Sequence, residues 1–478
     1  MDPTPEQCAA VDLFKTGQSL KINAFAGTGK TTTLELIGKS TTRKGIYLAF
    51  NKSVAEDAKK RFPFSVRCQT THSVAFQGMP AGFRKVPDKL AGKMNGNGIA
   101  RTFGLRRLHL TSELVLMERS QGFMIAETVK KFCQSGDAEI STDHVQSRAF
   151  FALLSPEQII AFKSFVTIFA TKLWSRMIDP ADPTPLGHDG YLKWWALSEP
   201  RLQYDYILLD EAQDSNGAVL HVLRKQQSQI VFVGDRHQQL YEWRGAINAM
   251  QQISTPGVTS LTQSFRFGDA IADGANQLLS LLDEQERVRG NPSLASKLTN
   301  CAKPHAVLCR TNATVMAVVL QHLQQGGQPY LVGGPGELIR LLQGVANLQR
   351  GQPCDVPELY GFSNWRDVEK FSETPEGEEL RSLVRIVQSF GVHGLIQALE
   401  KTVAQQENAD LVISTAHKSK GLEWETVKMA DDFFGPKYDA LGQEVIDPAE
   451  VRLLYVTLTR AKREVEPSSA YHRYVRAA

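Results

Sequence analysis

"AFAGTGKTT", residues 24–32, is one residue short of a phosphate-binding loop. The pattern G-x-x-x-x-G-K-[ST] asks for glycine where this chain has Ala24, then finds its second glycine, lysine and hydroxyl in Gly29, Lys30 and Thr31. The first position needs a small residue rather than glycine, unless its backbone lies at positive φ, so the loop is expected to be intact. Gly27 and Gly29 stand where the backbone must turn close against phosphate oxygens, and Ala26, Thr28 and Thr32 complete the candidate nucleotide-binding stretch. Lys30 is placed to reach the β and γ phosphates and Thr31 to coordinate Mg²⁺, with the N-terminus of the following helix adding partial positive charge.

The flanks of the loop set the fold class. SLKINAF (19–25) and GIYLAF (45–50) read as strands, TTTLELIGKS (31–40) and KSVAEDAKKRF (52–62) as helices, and this alternation marks a parallel α/β sheet. From about Phe76 to Pro200 polar helical segments are broken by NGNG (95–98) and DPADPTPLGHDG (179–190), which reads as an insertion interrupting the sheet. Strand patterns return at YDYILLD (204–210) and QIVFVGD (229–235). A second α/β block follows, with HAVLCRTN (305–312), a helix over 313–327, PYLVGG (329–334), DLVISTAH (410–417) and TVKMADDF (426–433), and a smaller helical insertion over 346–405.

Composition is compatible with this plan. A chain of 478 residues is too long for one ordinary core, and 42% hydrophobic with 22% charged residues is a globular balance. A net charge of +3 permits nucleic-acid binding without arguing for it. The six cysteines are scattered with no C-x-x-C pair, so a reducing compartment and no structural metal are expected. The segment MDPTPEQCAAVDLF lacks the basic and apolar runs of a signal peptide, and no stretch approaches the roughly 18 apolar residues of a membrane span, so a cytoplasmic protein that is not secreted is expected.

A second phosphate-handling element stands at Asp210-Glu211-Ala212-Gln213-Asp214, directly after the strand YDYILL. An acid at the end of a buried strand can hold Mg²⁺, and the adjacent carboxylate can orient and deprotonate an attacking water. Asp210 suits the first task and Glu211 the second. A solvated acidic turn is the plain alternative, but both elements lie at the C-terminal ends of expected strands, where α/β sheets place ligands.

With these residues the chain resembles the UvrD/Rep-type superfamily 1A DNA helicases, and within them the helicase core of F-box DNA helicases. TPEQCAAV (4–11) resembles the adenine-reading segment, with Gln7 as reader; TTHS (70–73) resembles a single-strand contact; DEAQD matches the acidic box unchanged. VGDRHQQLYEWRGA (233–246) is the most specific match. The resemblance assigns Gln238 to the γ-phosphate and Tyr241, Trp243 and Arg244 to the strand. QSFRF (263–267) supplies Arg266, HKSKGLEW (417–424) supplies Glu423 for the ribose, and YVTLTRAK (455–462) supplies Arg460. Further candidate DNA contacts are Phe50, Asn51, Thr71, His72, His417 and Lys418.

The resemblance implies two RecA-like P-loop NTPase domains with parallel sheets, each interrupted by a mainly helical insertion. The expected division is 1–75 and 201–262 for the first domain around an insertion at 76–200, then 263–345 and 406–478 for the second around a reduced insertion at 346–405. It implies an enzyme that uses ATP and Mg²⁺ to move 3′ to 5′ on single-stranded DNA, with single/double-strand junctions as substrates. Arg266 and Arg460 are then expected to meet the charge spread over the γ-phosphate as the two domains close over ATP.

Three departures qualify the resemblance. The insertion at 346–405 is far shorter than that of the large bacterial members, and no F-box is visible. After Lys462 the chain runs REVEPSSAYHRYVRAA, charges and Pro467 where the family continues into an apolar strand, so the core is expected to end differently. Two other readings remain: a translocase that strips proteins from single strands without unwinding, and an ATP-gated binding module or small-molecule P-loop kinase. A kinase needs only one α/β domain and no Trp-Arg-Gly element.

Overall fold

The computed structural model describes residues 2–477 except 87, 93–94, 113, 241–247, 353, 355, 357–358, 360–361, 363, 375–376 and 440. It divides into two compact units, one made of residues 1–24 and 30–261 and the other of 25–29 and 262–478.

The first unit opens with α1 (Pro5–Lys15), started by a capping box in which the Thr4 side chain and Gln7 satisfy each other's backbone amides and Pro5 sits at the first helical turn. β1 (Leu20–Ala24), α2 (Lys30–Lys39), β2 (Gly45–Ala49), α3 (Lys52–Arg61), β3 (Val66–Thr70) and α4 (Thr71–Gly78) follow. The insertion contributes α5 (Gly96–Phe103), a short hairpin of β4 (Leu108–His109) and β5 (Val115–Leu116), α6 (Glu118–Gln134), α7 (Pro156–Ile178) and α8 (Gly187–Leu197). β6 (Tyr206–Leu209), α9 (Gly217–Arg224), β7 (Gln229–Gly234), α10 (Ala249–Gln252) and β8 (Gly257–Leu261) complete the unit.

Six parallel strands form one sheet in the order β3-β2-β6-β7-β1-β8. Because successive side chains of a strand point to opposite faces, each strand feeds two cores. Tyr47, Tyr206, Leu208, Val231 and Val233 pack with Phe14, Leu34 and Ala55 of α1–α3. Ile46, Leu48, Ile207, Leu209 and Phe232 pack instead with insertion residues such as Ile99, Phe132 and Trp174. The insertion is therefore the cover of one sheet face and shares its core.

Lys89 locks part of that cover. The residue is 1% exposed, and its ammonium donates to the carbonyls of Arg176, Asp182 and Thr184 at 3.2, 2.8 and 2.7 Å. Its own carbonyl accepts from the Leu186 amide at 2.6 Å. One buried cation thus ties down the turn between α7 and α8.

The second unit contains α11 (Asp269–Ser280), β9 (Lys297–Leu298), β10 (Ala306–Cys309), α12 (Asn312–Gln324), β11 (Pro329–Leu331), α13 (Gly336–Gln349), α14 (Trp365–Ser372) and α15 (Glu378–Glu400). β12 (Leu411–Thr415), β13 (Trp424–Met429), a small hairpin of β14 (Lys437–Tyr438) and β15 (Glu444–Val445), α16 (Pro448–Leu458), β16 (Ala461–Glu466) and α17 (Ser469–Ala477) follow. Its six-stranded sheet has the order β11-β12-β10-β13-β16-β9, again parallel. α13, α14 and α15 bury Leu342, Val368 and Leu395 in one cluster with Val307 and Ile413 of the strands.

The expectation of a different ending after Lys462 is corrected here, because residues 461–466 form β16 inside the sheet. Ala461 and Val465 point into the core at 0% exposure. The charged residues between them are balanced on the outside: Lys462 pairs with Glu423 and Glu425, and Arg463 with Glu425. Arg463 shares parity with the two buried residues, and it is exposed where the register against β13 shifts between Trp424 and Thr426.

The carbonyls around Lys89 lose their donor in Lys89→Met. Each stranded buried acceptor costs on the order of 1–3 kcal/mol, so chemical denaturation should register a loss of about 3 kcal/mol or more. A change within about 0.5 kcal/mol, the range of ordinary surface substitutions, would contradict the locking role.

Candidate active site

The loop between β1 and α2 resolves the matter of Ala24. Among the described residues, the non-glycine ones with left-handed backbone are Asp88, Glu199, Glu211 and Asp283, so Ala24 does not occupy a conformation that needs glycine. Gly27 and Gly29 do, at φ 74° and 77°. Ala26 is fully buried, the Thr28 hydroxyl donates to the Phe25 carbonyl at 2.8 Å, and the Thr32 hydroxyl accepts from Arg61 at 3.1 Å.

In the first unit the first turn of α2 meets the residues that follow β6. The Thr31 hydroxyl donates to Asp210 Oδ2 at 2.7 Å, and the Tyr47 hydroxyl, from the middle of β2, donates to the same oxygen at 2.6 Å. The Lys30 ammonium lies 3.8 Å from Glu211 Oε1. Glu211 sits at φ 50°, a conformation that is costly for a non-glycine residue and held by its surroundings. Its amide donates to Asp210 Oδ1 at 2.9 Å, and its Oε2 accepts from Gln213 at 2.5 Å. Gln213 also accepts from the Asp235 amide at 3.1 Å, and Asp235 Oδ2 accepts from Gln238 at 2.8 Å. One hydrogen-bonded relay therefore runs from the acidic box to the turn that carries Gln238.

Burial pushes the Asp210 carboxyl above the ordinary carboxylate range, and the neighbouring charge of Glu211 pushes the same way; the Tyr47 and Thr31 hydroxyls and Lys30 oppose them. A buried carboxylate under that load gains from a counter-charge. The Thr31 hydroxyl and Asp210 are hard oxygen donors at one point, a pair that fits Mg²⁺ completed by phosphate and water.

The remaining candidates of this unit are less concentrated. Gln7 is buried, accepts from the Thr4 amide at 3.0 Å and donates to Thr33 at 3.3 Å. Phe50 is 45% exposed, and Asn51 caps α3 by accepting from the Val54 amide at 2.9 Å. Thr71 begins α4, and His72 Nε2 lies 3.8 Å from Asp189 of α8. Tyr241, Trp243 and Arg244 lie outside the described residues.

The second unit gathers its own candidates. Glu423 accepts from Arg266 Nε at 2.7 Å and pairs with Lys462 at 3.0 Å; burial raises its carboxyl, but the two cations outweigh burial and hold it below the usual range. Arg266 also donates to the Thr459 carbonyl at 3.0 Å. Arg460 is 1% exposed, with donations to the carbonyls of Val456 and Leu422 at 2.8 and 3.3 Å. Lys418 pairs with Glu337 at 2.7 Å, and His417 directly precedes it in the turn after β12.

Two residues of the acidic cluster escaped the sequence reading, Tyr47 and Gln213. A phenol inside the fully buried strand GIYLA was the available signal, since a buried hydroxyl needs a partner. Tyr47→Phe removes one donor from Asp210, so a stability loss of about 1.5–3 kcal/mol is expected, the scale of a hydrogen bond to a charged group. The Mg²⁺ concentration for half-maximal ATP hydrolysis should also rise severalfold. Unchanged melting and unchanged Mg²⁺ demand together would remove Tyr47 from the site.

Comparison with known proteins agrees with this arrangement. The UvrD/REP helicase N-terminal domain family matches residues 184–255, which hold the acidic box and Gln238, and the UvrD-like helicase C-terminal domain family matches 348–468, which hold Glu423 and Arg460. F-box DNA helicase protein 1 of Schizosaccharomyces pombe is 31% identical over 97% of this chain and 57% of its own length. F-box DNA helicase 1 of Gallus gallus is 32% identical over 94% of this chain and 47% of its own length. The ATP-dependent DNA helicase PcrA of Leuconostoc citreum is 29% identical over 19% of this chain and 13% of its own. The chain spans about half the length of the two F-box relatives it matches. With two parallel sheets and both domain models matched in order, the chain carries the N-terminal and C-terminal domains of UvrD-like helicases.

Proposed function

We propose that the protein is an ATP-dependent DNA helicase that moves 3′ to 5′ on single-stranded DNA and opens duplexes at single/double-strand junctions. The observation that carries the reading is the grouping of Lys30, Thr31, Asp210 and Glu211 at one end of the first sheet. Four residues from two separate segments meet there with the chemistry of phosphoanhydride cleavage.

In this reading Lys30 and the loop amides bind the β and γ phosphates. Bound Mg²⁺ would be held by Thr31 and Asp210 and would neutralise phosphate charge. Glu211 accepts a proton from the attacking water as the water oxygen bonds to the γ-phosphorus and the β,γ-bridging oxygen leaves with ADP. Gln213 orients Glu211 and links it to Asp235 and Gln238, so loss of the γ-phosphate can be felt at residue 238. Arg266 and Arg460 supply positive charge to the transition state, and Gln7 and Glu423 take the base and ribose. Tyr241, Trp243 and Arg244 follow Gln238 closely in sequence and are assigned to the strand, with Phe50, Asn51, Thr71, His72, His417 and Lys418 as its other contacts.

Three outcomes are expected. Lys30→Ala weakens ATP binding, whereas Glu211→Gln retains bound ATP and abolishes turnover, as read by nucleotide binding beside phosphate release; wild-type turnover in Glu211→Gln would dismiss the base assignment. Trp243→Ala keeps measurable hydrolysis but loses most stimulation by single strands and nearly all unwinding. A collapsed melting temperature with every activity lost together would make Trp243 a core residue instead. Partial duplexes with a 3′ tail should be unwound and those with a 5′ tail left intact; ATP hydrolysis with no unwinding of either points to the protein-stripping translocase.

A further inference from the structure

The face of α4 that carries His72 continues into a second aromatic position. Phe76 follows one helical turn later, on the same face, and its side chain is 40% exposed. Tyr191 of α8 lies behind both rings, edge-on to His72 at 6.0 Å and to Phe76 at 5.7 Å between centroids. Tyr191 itself is only 4% exposed, so it acts as a wall that fixes the two outer rings.

Beside the exposed ring stands a cation. The Arg84 guanidinium lies 5.1 Å from the Phe76 centroid and donates to the Phe76 carbonyl at 3.1 Å. Among the described residues Arg84 makes no ion pair with a carboxylate, so its charge is available to an anion. Lys85 is exposed next to it, and Arg67 of β3 reaches Gln77 on the neighbouring turn at 2.9 Å. His72, by contrast, has an acid partner in Asp189, which is itself held by Gln134 at 3.2 Å.

An exposed aromatic face paired with an uncompensated guanidinium has the composition of a single-strand contact, a ring for a base and a charge for the adjoining phosphate. We propose that Phe76 and Arg84 form a further single-stranded DNA subsite that extends the path from His72 along α4, with a base stacked on Phe76 and a backbone phosphate against Arg84. This rests on the DNA-binding reading above. The ring keeps 40% of its surface exposed although both Tyr191 and Arg84 pack on it.

The test is titration of the full chain with fluorescently labelled oligothymidylate, in intact form and with abasic sites throughout. Wild-type protein that fails to bind the intact oligomer refutes the DNA-binding reading itself; the comparisons below judge the subsite separately. Phe76→Leu keeps the apolar contact with Tyr191 but has no stacking face, and it should bind intact oligomer about fivefold to a hundredfold more weakly. Phe76→Trp should bind at least as well as wild type, and on the abasic oligomer the gap between Phe76→Leu and wild type should close. Arg84→Gln should flatten the dependence of affinity on salt by close to one phosphate contact, while Phe76→Leu leaves that slope unchanged. The subsite is overturned if Phe76→Leu binds within twofold of wild type, if Phe76→Trp is as damaged as Phe76→Leu, or if the defect persists on the abasic strand.

Discussion

A single carboxylate oxygen, Asp210 Oδ2, accepts from two hydroxyls that come from different parts of the chain. Thr31 brings the start of α2 to it and Tyr47 brings the middle of β2, while the residue itself hangs from the end of β6. The arrangement needs the neighbouring strands β2 and β6 in register and the helix that follows β1. β2 lies beside β6, with Leu48 opposite Leu209, and this pairing puts the phenol within reach of the carboxylate. The insertion serves the same end, since Ile207 and Leu209 on the other face of β6 are covered by its helices. Burying a negative charge is unfavourable unless it is hydrogen-bonded or neutralised, and the cluster supplies the hydrogen bonds.

The second unit handles charge in another way. Arg266 and Lys462 share Glu423, and Arg460 is wrapped by backbone carbonyls inside the core. A guanidinium of this kind is pre-oriented by fixed dipoles, so little reorganisation is needed when an anion takes over a contact. Glu423, shared between cations, keeps Arg266 from swinging freely.

Much of this was legible in the sequence because buried parallel strands are continuous apolar runs: GIYLAF, YDYILLD and QIVFVGD each announced themselves, and each ends near a residue of the site. The loop was legible because Gly29, Lys30 and Thr31 have fixed spacing. β3 and β8 were missed, since VRCQT and GVTSL carry polar residues on an exposed side, and β16 was misjudged because its charges face outward in ion pairs. Tyr47 and Gln213 were missed for another reason. Their partners, Asp210 in the one case and Asp235 in the other, are set by strand order and by the turn after β6, which no linear spacing encodes.

We propose that chemistry at Asp210 and Glu211 drives movement of the chain along DNA. Displacement of streptavidin from the ends of a biotinylated single strand reads that movement directly. ATP-dependent release from a 5′ end and not from a 3′ end is expected, with none when a non-hydrolysable ATP analogue replaces ATP. Brisk ATP hydrolysis stimulated by the same strand, with streptavidin retained at both ends, would contradict the proposal.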